Sequence, residues 1–368
     1  MRSLLYKLVL FLFCLSAPLI AADAVYDLSA TLATDAQTIA LVGGKSVKLK
    51  SVRNKGDRVL FIDTLPQANW GHPAFIRIVD AEGKLREEIK TDRPPVEMGQ
   101  VLSHPLQALD GKVPTFAVKD LDGKYKVEEP ERYYALLING RAELRHWNDL
   151  SFLYRTLTTV YGYKKENIWV ADSAFKSRNA DLDGDGWEDI QYGSTLGEIR
   201  NVIAELASKI QENDHLVLVI NDHGSTRDGE STLVLSDGEM GAREFGELLK
   251  TLPVKTLLAV YEQCFSGGFV RPTAGGHRVA MAASTDSEYS FASMDLMFNE
   301  FLYHVIAAFA HQTHEGTPLS ADRDRNGEIT AQEAYAYAVA HDMRRESPFM
   351  ESGANAGSAQ RIGLGFIR

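Results

Sequence analysis

The chain reads as an α/β protein: a doubly wound, mostly parallel sheet with helices on both faces, preceded by a small β-rich, sandwich-like N-terminal domain. Three observations predict this. Past residue 131, apolar runs of strand length at 133–139, 168–171, 216–221, 256–262 and 278–283 alternate with stretches of helical periodicity, the pattern of βαβ units. Those runs do not alternate with polar residues, as expected of strands covered on both faces. Before residue 128 the apolar runs are short and often alternating, and Gly43-Gly44, Asp80–Gly83, Asp110-Gly111 and Asp122-Gly123 punctuate them as turns.

In order, residues 1–22 combine Arg2 and Lys7, an apolar run from Leu8 to Leu15 and an alanine-rich exit, the form of a secretory signal peptide. That run is short for a bilayer and nothing later is long enough, so the sequence predicts no membrane span. Residues 23–130 form the β-rich domain, with strands expected around Val47–Ser51, Val59–Ile62, Ile76–Val79, Phe116–Val118 and Tyr125–Val127. Its role is not readable from composition. Residues 131–368 form the α/β domain. After the strand at 133–139, Leu150, Leu153, Leu157 and Val160 share a helix face. Thr195 and Glu198 form a capping box for a helix whose Leu196, Ile199, Ile203, Leu206 and Ile210 recur at helical spacing. A helix carrying Phe245, Leu248, Leu249 and Leu252 lies between the strands at 216–221 and 256–262, and another spans about Leu296 to Ala310.

The net charge is −11, and becomes −13 once Arg2 and Lys7 leave with the leader. An acidic chain without a basic stripe argues against nucleic acid as partner. Of the two cysteines, Cys14 lies in the leader, so Cys264 is the lone thiol of the mature chain and no intrachain disulfide can form. A free cysteine is ordinarily a buried structural residue. Cys264, however, ends an apolar strand and runs into Ser266-Gly267-Gly268, at the sheet edge where open α/β folds bind ligands.

His223 occupies the equivalent place, at the end of the 216–221 strand and before Gly224. An imidazole beside a thiol can take its proton and return it to a leaving amine, which is the requirement for thiolate attack on an amide. The backbone N–H groups of Gly224 and Cys264 are the natural donors to the resulting oxyanion. Peptides or proteins are therefore the expected substrate.

Asn221-Asp-His-Gly-Ser-Thr226 followed by Leu233-Val-Leu235, and Glu262-Gln-Cys-Phe-Ser-Gly267, resemble the His-Gly and Glu-x-Cys-x-Ser-Gly blocks of the legumain family, the asparaginyl endopeptidases. The likeness extends to Asn139-Gly140 through Arg145-His146, to Tyr161-Gly-Tyr163 before Asn167-Ile168, and to Ala283–Ser290. It covers roughly 131 to 345 and none of the N-terminal domain. It implies a caspase-like form of the α/β fold and a cysteine peptidase, with cleavage after Asn as one expectation and a preference for Arg or Asp, which relatives in the clan use, as the others. A ligase or transamidase using the same acyl-enzyme, and a non-catalytic calcium-dependent binding protein on the same scaffold, are the alternatives. The resemblance also implies a substrate pocket of Arg145, Glu262, Ser290 and Asp295. Legumains carry an asparagine just before their Arg-His pair to orient the histidine; here Glu143 stands there. A carboxylate can do the orienting, or the site works as a dyad.

Two acidic loops point to calcium. Residues 322–333 satisfy the twelve-residue calcium-loop pattern through Asp322, Asp324, Asn326, Gly327, the Glu328 carbonyl, Ile329 and the closing Glu333. Residues 181–192 repeat the opening with Asp181, Asp183, Asp185 and Asp189, but Tyr192 replaces the closing glutamate. Asp120–Gly123 resembles the same opening and reads better as a hairpin turn.

Overall fold

The computed structural model describes residues 24–365 apart from 30–31, 34–35, 42–44, 51–52, 66, 70–71, 96–114, 141–142, 176–179, 296, 345 and 353–356. The expected leader thus lies outside the described residues.

In the N-terminal part, β1 (Ala24–Asp27), β4 (Arg58–Asp63), β5 (Ala74–Val79) and β6 (Leu85–Thr91) form an antiparallel sheet in the order β1-β4-β5-β6. The hairpin of β2 (Thr38–Leu41) and β3 (Lys45–Lys48) forms a second, two-stranded sheet. Leu28, Ile39, Leu41, Leu49, Val59, Phe61, Ile76 and Ile78 make the core between them, because alternate residues of each strand face inward.

The α/β part is built on a six-stranded sheet. Its strands are β7 (Tyr133–Asn139), β8 (Ile168–Asp172), β9 (His215–Ile220), β13 (Thr256–Tyr261), β14 (Arg278–Ala282) and β15 (Phe349–Glu351), in the order β15-β14-β13-β9-β7-β8. All pairs are parallel except the β14–β15 edge. Ala135 and Leu137 of β7 face one core with Leu150 and Leu153 of α1 (Leu144–Arg155), Phe301 and Val305 of α5 (Glu300–Ala310), and Ala334 and Ala338 of α6 (Ala331–His341). Leu136 and Ile138 face the other, with Ile199 and Ile203 of α2 (Leu196–Lys209), Phe245 and Leu249 of α3 (Ala242–Lys250), and Phe269 and Val270 of α4 (Gly267–Thr273). Burial on both faces is why these strands read as continuous apolar runs. The Thr195/Glu198 capping box forms as expected, and Thr330/Glu333 makes a second one for α6.

Several elements differ from expectation. Residues 115–120 form no strand and Leu121–Gly123 is a 3-10 turn rather than a hairpin turn. Phe116 and Tyr125 pack against the α/β core, where Val127 is buried, and the Ala117 N–H donates to the His314 carbonyl at 2.8 Å. By its contacts, therefore, 115–128 goes with the α/β domain. The strand β6 escaped notice because its charged residues leave it exposed along most of its length, the usual character of a protected edge. The helix expected from about Leu296 starts at Glu300, because Ser293 and Asp295 close a turn ahead of it.

The chain runs from β7 outward to β8, then crosses back to place β9 on the other side of β7. This reversal opens a crevice at the C-terminal strand ends, the usual ligand site of such sheets.

Candidate active site

His223 lies three residues beyond Ile220, the last residue of β9, and Cys264 three beyond Tyr261, the last of β13; Ile220 and Tyr261 are register partners. The two side chains therefore leave neighbouring strands at the same level. Gly224 opens a hairpin, β10 (Gly224–Arg227), β11 (Glu230–Val234) and β12 (Glu239–Gly241), at the edge of the crevice. A Cβ on Gly224 would stand 1.9 Å from the Cys264 carbonyl oxygen, so only glycine lets the two backbones meet. Directly after the cysteine, Phe265 adopts φ +60°, a left-handed conformation costing about 1–2 kcal/mol outside glycine. The Glu288 carbonyl accepts from the Phe265 N–H at 2.8 Å, holding this turn, while Ser266 Oγ receives the Ser284 N–H at 3.1 Å.

Glu143 is the residue just before α1. Its carboxylate reaches across to His223 Nε2 at 2.8 Å on one oxygen and to the Arg145 guanidinium at 2.9 Å on the other. All three are buried. Burial alone would raise the Glu143 carboxyl, but Arg145 and His223 outweigh it and hold it well below the usual carboxylate range. It is thus an anion able to fix the proton of His223 on Nε2. The Cys264 thiol is buried and donates to the Ser290 carbonyl at 3.8 Å; burial pushes it well up from an ordinary cysteine.

Of the expected pocket residues, Arg145, Glu262 and Ser290 come together and Asp295 does not. Arg145 Nε donates to Asn69 Oδ1 at 3.1 Å, and Asn69 Nδ2 donates to Ser290 Oγ at 3.0 Å and to Glu262 Oε1 at 3.5 Å. The other Glu262 oxygen accepts the Leu302 N–H at 2.9 Å, and Ser290 Oγ is also hydrogen-bonded to the Glu262 carbonyl. Burial, with Glu346 and Asp149 nearby, pushes Glu262 well above the carboxylate range. Asp295 is exposed; its carboxylate accepts from Ser293 Oγ at 2.7 Å and the Met297 N–H at 3.0 Å, which commits it to its own turn.

Sequence reasoning missed Asn69 and His146. The His146 ring stands 4.9 Å from that of His223 and its Nε2 lies 3.4 Å from Asn69 Oδ1. Beneath them a buried polar layer joins the elements of the site. Asp149 Oδ2 accepts from Asn299 Nδ2 at 2.7 Å, and Asn299 Nδ2 also reaches Asn221 Oδ1 at 2.7 Å. The Gly224 N–H donates to the Asn69 carbonyl at 3.3 Å.

Among the described residues, three groups of side chains have the proximity to hold a metal ion. Glu143, His146 and His223 are one, but the Arg145 guanidinium already neutralises Glu143. Asp181, Asp183 and Asp185 are the second. There Lys165 Nζ stands 2.6 Å from both Asp183 and Asp185, so an ammonium takes the place a cation would fill, and Asp189 accepts the Leu182 N–H at 2.8 Å. Asp322, Asp324 and Glu333 are the third. Asp322 and Asp324 both accept the Asn326 N–H at 3.1 Å, and Asn326 Oδ1 accepts the Glu328 N–H at 2.8 Å. Glu333 folds back on this loop, with Oε1 on the Arg323 N–H at 3.0 Å and Oε2 on Thr330. The donor set is all oxygen, which suits a hard cation such as calcium.

Residues 196–323 match the model of the Peptidase C13 family. That segment includes His223, Gly224, Glu262, Cys264 and Ser290, and excludes Glu143, Arg145 and Asn69. No curated protein matches the chain. Among solved structures the chain is similar to the crystal structure of Caspase-1 from Spodoptera frugiperda, at 12% identity and a TM-score of 0.38, over 65% of this chain and 92% of that one. No helix among the described residues is long and apolar enough to cross a membrane. The family match over the segment that carries both His223 and Cys264 supports a cysteine peptidase.

Proposed function

We propose that the chain is an exported cysteine endopeptidase that cleaves peptide bonds after asparagine. The observation that carries this reading is the junction of two parallel strand ends. His223 and Cys264 follow register partners on β9 and β13, and Gly224 abuts the Cys264 backbone. The proton held on His223 Nε2 by Glu143 leaves Nδ1 as the base for the thiol. Thiolate attack on the scissile carbonyl is stabilised by the N–H groups of Gly224 and Cys264. The imidazolium then protonates the leaving amine, and water resolves the thioester.

The asparagine preference rests on the pocket. Arg145 offers a donor to an amide oxygen, while Ser290 and Glu262 offer acceptors to an amide nitrogen. A site built to bond both ends of an amide rejects side chains that lack it, since its own buried groups would be left unpaired. Export follows from the leader-like residues 1–22. Calcium at 322–333 acts as a staple in a protein without disulfides, with Asp322, Asp324, Asn326 and Glu333 as the holding residues and the Glu328 carbonyl as a further ligand.

The test is turnover of reporter peptides ending in Asn, Asp, Arg or Lys by the wild type, Cys264→Ala and His223→Ala. The expected result is cleavage after Asn by the wild type alone. Activity surviving both substitutions would remove the assignment. Faster release to an added amine than to water would instead identify a transamidase.

A further inference from the structure

The crevice already holds a piece of this chain. The loop joining β4 to β5, residues 64–73, lays Gln67, Ala68 and Asn69 along the segment 290–292. The Asn69 N–H donates to the Ser290 carbonyl at 3.0 Å and the Ala292 N–H to the Gln67 carbonyl at 2.7 Å, with Ala68 and Phe291 in an antiparallel bridge between them. This is the main-chain pairing of an extended peptide added to a strand edge. At its end, the Asn69 side chain fills the pocket of Arg145, Ser290 and Glu262 and its carbonyl takes the Gly224 N–H. The carbonyl is thus where a peptidase polarises the bond it cuts.

The loop is fixed from both sides. Asp63 and His72 join across its base at 2.7 Å. Gln67 is hydrogen-bonded to Arg344, whose guanidinium lies over the Phe291 ring. Further along, buried Arg93 donates to Ser225 Oγ at 2.7 Å and pairs with Glu239 on the β10–β12 hairpin. A loop tethered this way competes at an effective concentration of about millimolar or more, so an incoming peptide meets an occupied cleft.

We propose that this loop is the peptidase's own first substrate, and that the peptide bond after Asn69 is a self-processing site which closes the cleft until it is cut. The inference rests on the cysteine-peptidase reading. Cys264 Sγ bonds to the Asn69 carbonyl carbon as the bond to the next nitrogen breaks, and His223 delivers the thiol proton to that nitrogen. Water then hydrolyses the thioester, leaving a carboxylate on Asn69 and a new N-terminus at Trp70. The pieces stay together, since β4 and β5 remain paired from Arg58↔Val79 to Asp63↔Ala74. The new carboxylate end can leave the cleft because one of its two tethers is gone.

The experiment follows the purified full chain by denaturing electrophoresis, N-terminal sequencing and turnover of an Asn-reporter peptide. The expected wild-type result is a new N-terminus at Trp70, with one peak in native gel filtration and peptide turnover rising in step with the cut fraction. Cys264→Ala stays intact even when mixed with wild type, because its own cleft shelters the loop, and Asn69→Ala is not cut after residue 69. A wild type that turns over peptide while intact at Asn69, or whose uncut form is as active as the cut one, overturns this inference and leaves the peptidase standing. Neither peptide turnover nor self-cleavage, with Cys264 also refusing a peptidyl acyloxymethyl ketone, removes the peptidase reading and this inference together.

Discussion

Glu143→Gln is the most informative single change, because it keeps the shape of the side chain and removes its charge. The carboxylate makes two charge-assisted hydrogen bonds, to His223 Nε2 at 2.8 Å and to Arg145 at 2.9 Å, each worth about 1.5–3 kcal/mol. A glutamine retains one acceptor oxygen. Its amide nitrogen must then face either the guanidinium or the ring N–H, donor against donor. Losing one such bond at the moment the imidazole becomes charged removes about 3 kcal/mol of transition-state stabilisation, or roughly 100-fold in kcat/KM. The fall should lie mainly in kcat, with a smaller rise in KM as Arg145 loses its support. Glu143→Asp should recover part of the loss if its shorter side chain still reaches Nε2. Steady-state kinetics on an Asn-reporter peptide, across mildly acid to mildly basic pH, measure this, with circular dichroism to establish folding. Because Glu143 is held well below the usual range, its contribution to stability is present above the unfolded carboxyl pKa and lost only as pH falls through the lower folded value. The orienting anion therefore persists through mild acid. A folded Glu143→Gln enzyme with unchanged kcat/KM would refute the argument and leave a Cys264/His223 dyad.

Three further outcomes follow from the geometry. Gly224→Ala should cost about 1–3 kcal/mol of stability and most of the activity, since its Cβ would meet backbone of Cys264 at 1.9 Å; thermal melting and peptide turnover report the two, and a fully active, equally stable variant would contradict the close approach. Calcium should raise the melting temperature and chelator lower it, with Asp322→Asn abolishing most of the shift; Lys165→Ala should enlarge it by freeing Asp183 and Asp185, and a chelator-insensitive protein would remove calcium from the account. Stability should peak on the acid side of neutrality: burial raises Asp149, Asp222, Glu262 and Glu346 well above the carboxylate range and Asp172 to about 6, so the native state binds protons there that the unfolded chain has released, and stability falls as pH rises through those values. Burial pushes His215 and His311 down to about 4, which lowers stability as pH drops below their unfolded value and sets the acid side of the peak; a melting temperature highest in mild base would overturn this balance.

What was legible in the sequence follows from how each feature is encoded. The parallel strands announce themselves because burial on both faces leaves a run such as Leu216–Ile220 no polar position, and His223 and Cys264 stand out because each ends one. Glu143 was visible as a departure from a pattern, although only the fold shows which imidazole nitrogen it meets. Asp295 carried the composition of a pocket residue, yet a short loop can absorb an aspartate in its own turn, and Ser293 and Met297 do so here. Glu333 looked like the last ligand of a metal loop and is also the third residue of a capping box; both patterns ask for a glutamate at the start of a helix. Asn69 left no signal. Its partners lie 76 to 221 residues away, and an asparagine between two strands is ordinary turn chemistry.

The buried thiol connects the pocket to the loop that fills it. Cys264 is raised by burial, and its S–H is turned toward the Ser290 carbonyl, the same carbonyl that receives the Asn69 N–H. With the loop in place, the nucleophile is a protonated thiol in a closed, buried setting, and attack requires proton transfer to His223 inside that setting. Glu143 makes this transfer feasible, because it is an anion already buried beside the imidazole and stabilises the charge that appears there. Once the loop leaves, water reaches the thiol and the burial that raised it is relieved. On the reading proposed above, the same displacement that admits a foreign peptide brings the thiolate within easier reach, while the pocket of Arg145, Glu262 and Ser290 exchanges the Asn69 amide for that of a substrate.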